Sequence, residues 1–173
     1  MLQNPIKAQR ALKVMLIVTD MNGQPVTEVS HPCGLYTAIS QMPAALQSCI
    51  QHWGNLAETL HLEPRFAPGH LGLLCARGLV RVENELKGMV IVGGIAPDTW
   101  PPPPDEIEAM AVELEVEPRQ LEAHIGDVFY LDEAQRAGML PFVQRIAGII
   151  SHIANERHTL VSRLESIARL TAL

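Results

Sequence analysis

Basic residues are few and scattered. Thirteen Lys and Arg stand against nineteen Asp and Glu, for a formal net charge of −6. No block of positive residues occurs, and that argues against a nucleic-acid surface, which needs a clustered positive face. Cysteine is also scarce, with only Cys33, Cys49 and Cys75. An odd number at such dispersed positions makes no disulfide framework. The economical reading is a cytoplasmic protein with reduced thiols. No apolar run approaches the ~18 residues that a membrane-spanning helix needs. The first residues, "MLQNPIKAQRALKVML", lack the long apolar region and small-residue cleavage site of a signal peptide. The expectation is therefore a chain without membrane or direct nucleic-acid contact. Its 173 residues, 47% hydrophobic, suit one domain or one domain with an appendage.

Catalytic motifs are missing too. "VGGI" has neither the spacing nor the following helix of a phosphate-binding loop. "CARGL" places no serine in a nucleophile elbow, and no His-Glu-x-x-His occurs. His31, His52 and His70 each lie near a cysteine in sequence, yet no motif pairs them as cysteine catalysis requires. The acidic residues fall mostly in the helical C-terminal half and read as solvated faces. The chain is expected not to be an enzyme and to carry no cofactor. A metal at the cysteines is disfavoured by their single spacing, because structural zinc sites use paired ligands.

What is present is a sequence of clear elements. "KVMLIVT", residues 13–19, reads as a buried strand. Asn22-Gly23 is a hairpin signal, and "VTEV" is the expected return strand, giving a hairpin from Val14 to Val29. Residues 43–62 are helical by period, with Leu46, Ile50, Trp53, Ala57 and Leu60 on one stripe and Cys49 beside it. Residues 71–95 return to strand character, with "NELK" as a turn and "GMVIVGGI" as a central strand. "PDTWPPPP" breaks the chain. Two short helices follow, "DEIEAMAVEL" and "PRQLEAHI". From Leu140 onward one long helix is expected, ~46 Å from 140 to 170 at 1.5 Å per residue. Ile146, Ile153, Leu160 and Ile167 recur along it every seven residues.

The order of these pieces carries a resemblance. "VTDMNGQPVTEVS", Cys33 before a short helix, Cys49 on a helix, then "LCARGLVRVENELKGMVIVGGI" resembles the PocR-type ligand-sensing domain, over roughly residues 10–165. That family is similar to the PAS fold, occurs in bacterial transcription regulators and two-component sensor kinases, and binds small hydrocarbon derivatives. Cys33, Cys49 and Cys75 match the family's three cysteine positions, and Gly78 and Leu79 match the end of its Cys-His-Ala-Gly-Leu box. The box histidine is Ala76 here and its alanine is Arg77.

The resemblance implies an α+β fold, a PAS-like antiparallel sheet of about five strands with flanking helices. Residues 1–100 would form the sensory core, 105–138 short helices packing on it, and 139–173 a long signalling and dimerisation helix. The three cysteines should converge on one cavity, with sulfurs within ~8 Å. Expected wall residues are Val18, Leu35, Tyr36, Ile39, Trp53, Leu73, Cys75, Val90 and Val92, while Arg77 is either a solvated edge residue or an anion-reading group. The expected function is sensing of a small organic ligand, with signal transduction through a homodimer helix seamed by Ile153, Leu160, Leu164 and Ile167 to an output domain or partner regulator. Two alternatives stay open, a metal or iron–sulfur redox sensor using Cys33, Cys49 and Cys75, and a ligand-free dimerisation scaffold.

Overall fold

The computed structural model describes residues 14–171. The ends of the first and last expected segments, 1–13 and 172–173, lie outside the described residues. Four strands form one antiparallel sheet in the order β1-β4-β3-β2. They are β1 (Met15–Thr19), β2 (Ala67–Pro68), β3 (Leu74–Val82) and β4 (Glu85–Ile95). β4 is central and buried from Gly88 onward, as its unbroken apolar run requires. Helices α1 (Gly34–Ile39) and α2 (Pro43–Asn55) follow β1, and α3 (Pro104–Glu113), α4 (Pro118–His124) and α5 (Glu133–Thr171) follow β4.

Four strands rather than about five form because the expected return strand does not. The Asn22-Gly23 turn is there, with Gly23 at φ +82. The Asp20 carboxylate accepts from the backbone N–H of Asn22 and of Gln24, at 2.8 and 2.9 Å. Residues 25–30 then cross the edge of β1 with only isolated bridges, Thr19 to Pro25 and Leu16 to Ser30. Pro25 has no N–H to give to a ladder, and Val26 and Thr27 both donate to the one Val18 carbonyl. The turn instead docks on α2. A Cβ on Gly23 would lie 2.4 Å from the Gly54 nitrogen and the Ile50 carbonyl oxygen. Gly54 is therefore where helix and turn meet, and α2 runs through it to Asn55.

α2 ends seven residues before the expected 62 and continues as a single 3₁₀ turn, Leu56–Glu58. Its buried stripe is Ala45, Cys49 and Trp53, so Cys49 lies in the stripe, while Leu60, beyond the helix, is 95% exposed. The β3–β4 turn is Glu83-Asn84, tighter than "NELK", with Val82 paired to Glu85 and Glu83 at φ +56.

The sheet has two covered faces. One carries Met15, Ile17, Cys75, Met89 and Ile91 against α2. The other carries Val14, Ala76, Val80, Val90 and Val92 against Met139, Val143 and Ala147 of α5. Gly78 makes that second contact possible, because a Cβ there would sit 2.8 Å from the Ala147 Cβ and 2.9 Å from the Val143 carbonyl oxygen. α5 starts at Glu133, seven residues before the expected Leu140. Asp132 caps it: its carboxylate accepts from the Gln135 N–H at 2.7 Å, and the Gln135 side chain accepts from the Asp132 N–H at 2.9 Å. This reciprocal pair satisfies orphan donors of the first turn.

α5 is 39 residues long, about 58 Å. An 18-residue window within it reaches a mean hydropathy of 1.2, enough by length and composition to cross a bilayer. No unbroken apolar run of that length occurs in it, since Gln144, Arg145, Ser151 and His152 interrupt the apolar residues. The same helix is clasped to the sheet as far as Asn155, whose amide accepts from the Glu83 N–H at 2.6 Å and donates to the Arg81 carbonyl at 3.1 Å. From Glu156 to Thr171 every residue is exposed.

Candidate functional site

A small cavity of about 40 Å³ lies between the α2-facing side of the sheet, helices α1 and α2, and the 69–73 segment. Its wall is mostly apolar. Cys33, Tyr36, Ile39, Cys49, Trp53, Leu73 and Cys75 line it, as the sequence led us to expect, with Leu35. The three cysteines arrive from different elements. Cys33 is the residue before α1, where its Sγ accepts from the Tyr36 N–H at 3.4 Å and so caps the helix. Cys49 comes from the buried stripe of α2. Cys75 comes from β3 beside Gly69, whose missing side chain leaves room for the thiol, since a Cβ there would sit 2.7 Å from the Cys75 Sγ. Tyr36 and Trp53 stand with ring centroids 6.4 Å apart.

Three expected wall residues lie elsewhere. Val18, Val90 and Val92 point to the α5 face, and Met15, Gly93 and Gly94 line the cavity in their place. The error is a one-residue slip, which reverses every side chain of a strand. Arg77 is neither a solvated edge residue nor an anion reader. It is 4% exposed. Its Nε donates to the Leu56 carbonyl at 2.6 Å, and Nη2 donates to the Thr59 carbonyl at 3.0 Å, the Thr59 hydroxyl at 2.5 Å and the His61 carbonyl at 2.6 Å. The guanidinium holds the loop after α2 against β3, and burial lowers its pKa.

The histidines are what sequence reasoning missed. His52 and His70 both line the cavity, with ring centroids 5.4 Å apart. His52 Nδ1 lies 2.8 Å from the Ser48 carbonyl oxygen. A carbonyl only accepts, so Nδ1 donates to it. His70 Nε2 is buried with no hydrogen-bond partner. Burial, then the neighbouring His52, pushes the His70 pKa down to about 4, so its ring is neutral at pH 7. The signals available were the nearness of His52 to Cys49 and of His70 to Cys75 in sequence, and the place of His70 between Gly69 and Gly72, where Leu71 takes φ +60.

The thiols are protected rather than activated. Burial pushes Cys49 up to about 12, with smaller contributions from Cys75 and Cys33, and pushes Cys75 up to about 11. Cys33 is also raised by burial. Among the described residues no three His, Cys, Asp or Glu side chains come together in a way that could hold a metal ion. The three-cysteine metal arrangement therefore lacks its geometry here. Ala76, in the place of the box histidine, is fully buried on the α5 face. Its loss takes nothing from the cavity wall, which has two imidazoles of its own.

Residues 6–155 match the sensory domain found in PocR. No curated protein and no solved structure gives a match. The matched region ends at Asn155, the last residue of α5 to hydrogen-bond the end of β3. With the sheet, the cavity and the cysteines from three elements in place, the chain belongs to the family of the sensory domain found in PocR.

Proposed function

We propose that this chain is a non-catalytic sensor that binds one small, mostly apolar organic molecule in the cavity and passes its occupancy through α5, in a homodimer, to an output domain or partner regulator. The family supports the ligand-sensing regulatory role. The observation that carries the finer reading is an apolar cavity whose wall includes His70, with a buried, unpartnered Nε2. A buried polar atom without a partner costs free energy, and a ligand hydroxyl or carbonyl reaching it would recover that cost. The raised thiol pKa values speak against a redox sensor, because the thiolate is the reactive form.

The cavity's size sets the scale of the ligand. At roughly 10–15 Å³ per water-sized probe, 40 Å³ holds about three waters or a ligand of four or five non-hydrogen atoms. With a ceiling of about 1.5 kcal/mol per atom for the smallest ligands, five atoms give about 7.5 kcal/mol, so its Kd is no tighter than about 3 μM. A thermal-shift screen of short alcohols, diols and carboxylic acids at millimolar concentration tests this. Saturable stabilisation is expected, following mass action for a ligand that binds only the folded state. Gly93→Ala is the control. Its new Cβ would meet the Cys75 Cβ at 3.6 Å and the Met15 Cε at 3.7 Å, ordinary contacts, so it narrows the cavity while the fold stands. A flat response of the unsubstituted protein across the screen refutes ligand binding and favours a scaffold.

A further inference from the structure

The outer face of α5 carries a pattern that the sheet does not use. Ile149, Ile153, Glu156, Leu160, Arg163, Ile167 and Leu170 follow one another at spacings that alternate four and three. With Ala147 facing the sheet and 100° per residue, they lie between about 140° and 240° around the helix, opposite the buried stripe. The apolar members are 53–75% exposed. A seam with this alternation is what one helix offers to another.

The seam reads alike from both ends, apart from the sign of its charges: apolar, apolar, acid, apolar, base, apolar, apolar. We infer that a second copy of this chain covers it, and that the two α5 helices run antiparallel, crossing at Leu160. Resting on the dimer reading above, the inference adds its orientation. In a two-fold contact residue i meets j and j meets i. Antiparallel pairing about Leu160 sets Glu156 against Arg163 of the second copy twice over, Ile153 against Ile167, and Ile149 against Leu170. Parallel pairing in register sets Glu156 against Glu156 and Arg163 against Arg163 inside the seam, and like charges placed together across an interface are strongly unfavourable. Glu156 is free to turn to such a partner, since its one contact is an exposed pair with His152 at 3.4 Å. The seam lies opposite the sheet, so the partner helix meets no strand as it runs back along α5.

Oxidative cross-linking of the full chain decides the orientation. Ile153→Cys mixed with Ile167→Cys is expected to give a disulfide-linked heterodimer. Ile153→Cys alone is expected to stay unlinked, because its two copies would lie about 21 Å apart along the antiparallel pair. The native cysteines are buried. Charge reversal is the second arm, read by sedimentation. Glu156→Arg is expected to weaken dimerisation roughly tenfold, since two attractive pairs become repulsive. Adding Arg163→Glu should restore it, because the swap returns both pairs. Self-linking of Ile153→Cys, or a double swap no better than the single, overturns the antiparallel arrangement and leaves a parallel dimer standing. A wild type that sediments as a monomer at tens of micromolar overturns the dimer reading and this inference together, as does a monomer that floats with phosphatidylcholine vesicles.

Discussion

Removing the Arg77 guanidinium tests how the loop after α2 is held. Arg77→Met keeps most of the volume and takes away four hydrogen bonds, one to the Leu56 carbonyl from Nε and three from Nη2 to the Thr59 carbonyl, the Thr59 hydroxyl and the His61 carbonyl. A hydrogen bond from a charged group contributes about 1.5–3 kcal/mol net. The four are not additive, because the guanidinium also loses water, and because Thr59 and His61 are exposed, so solvent can re-solvate their carbonyls. The Leu56 carbonyl, beneath a buried residue, keeps only the Thr59 hydroxyl at 3.0 Å. The expected loss is about 2–4 kcal/mol, a large part of a typical domain's ~5–15 kcal/mol. For a chain of this length that lowers Tm by roughly 10 °C. Urea unfolding followed by circular dichroism measures it, with the slope unchanged if both end states keep their compactness. Arg77→Lys should fall between, since an ammonium donates but cannot fork. A loss under ~0.5 kcal/mol for Arg77→Met, within the range of ordinary surface substitutions, would refute the clasp.

Gly78→Ala should cost about 1–3 kcal/mol, because the new methyl meets helix backbone that cannot swing aside; thermal melting reads it, and a neutral result would show that α5 is loosely seated. Stability should fall as pH drops from 6.5 toward about 4, because the unfolded chain protonates His70 before the folded one does. His70→Gln should flatten that acid limb in pH-dependent urea titrations. Above pH 9 the sign reverses. The unfolded thiols ionise first, and stability is lost as pH rises toward the folded values of about 11 and 12 for Cys75 and Cys49. At pH 8 a thiol with a pKa near 12 is ionised to only about one part in ten thousand, so Cys49 should react with a disulfide reagent only as fast as the protein opens.

Much of the site was legible because the three cysteines are punctuation in a known order, and order survives small errors of boundary. What failed was facing. "GMVIVGGI" is apolar on both sides, so nothing in it says whether Val90 or Met89 looks toward α2. Register shifts between Leu74 and Ala76 and between Val80 and Arg81 defeat simple alternation along β3 as well. Arg77 was misread for a related reason. Its acceptors are carbonyls, which every residue type has, and no acidic partner announces a buried guanidinium. The strand count failed at Pro25, where a strong turn signal outweighed the missing donor just after it. The length and the apolar period of α5 were plain, and its start was missed because the first turns, from Glu133 to Gly138, carry no large apolar residue to extend the period back to the Asp132–Gln135 cap.

The contact at Gly78 leaves no clearance between β3 and α5, and a strand is a single backbone thick. Cys75 looks into the cavity, and the next residues, Ala76 and Gly78, look at the helix. The helix is also held to the end of β3 farther along, where the Ser151 hydroxyl and the Asn155 amide bind the backbone of Arg81 and Glu83. A change of packing on the cavity side therefore has one backbone's thickness to cross before it meets α5.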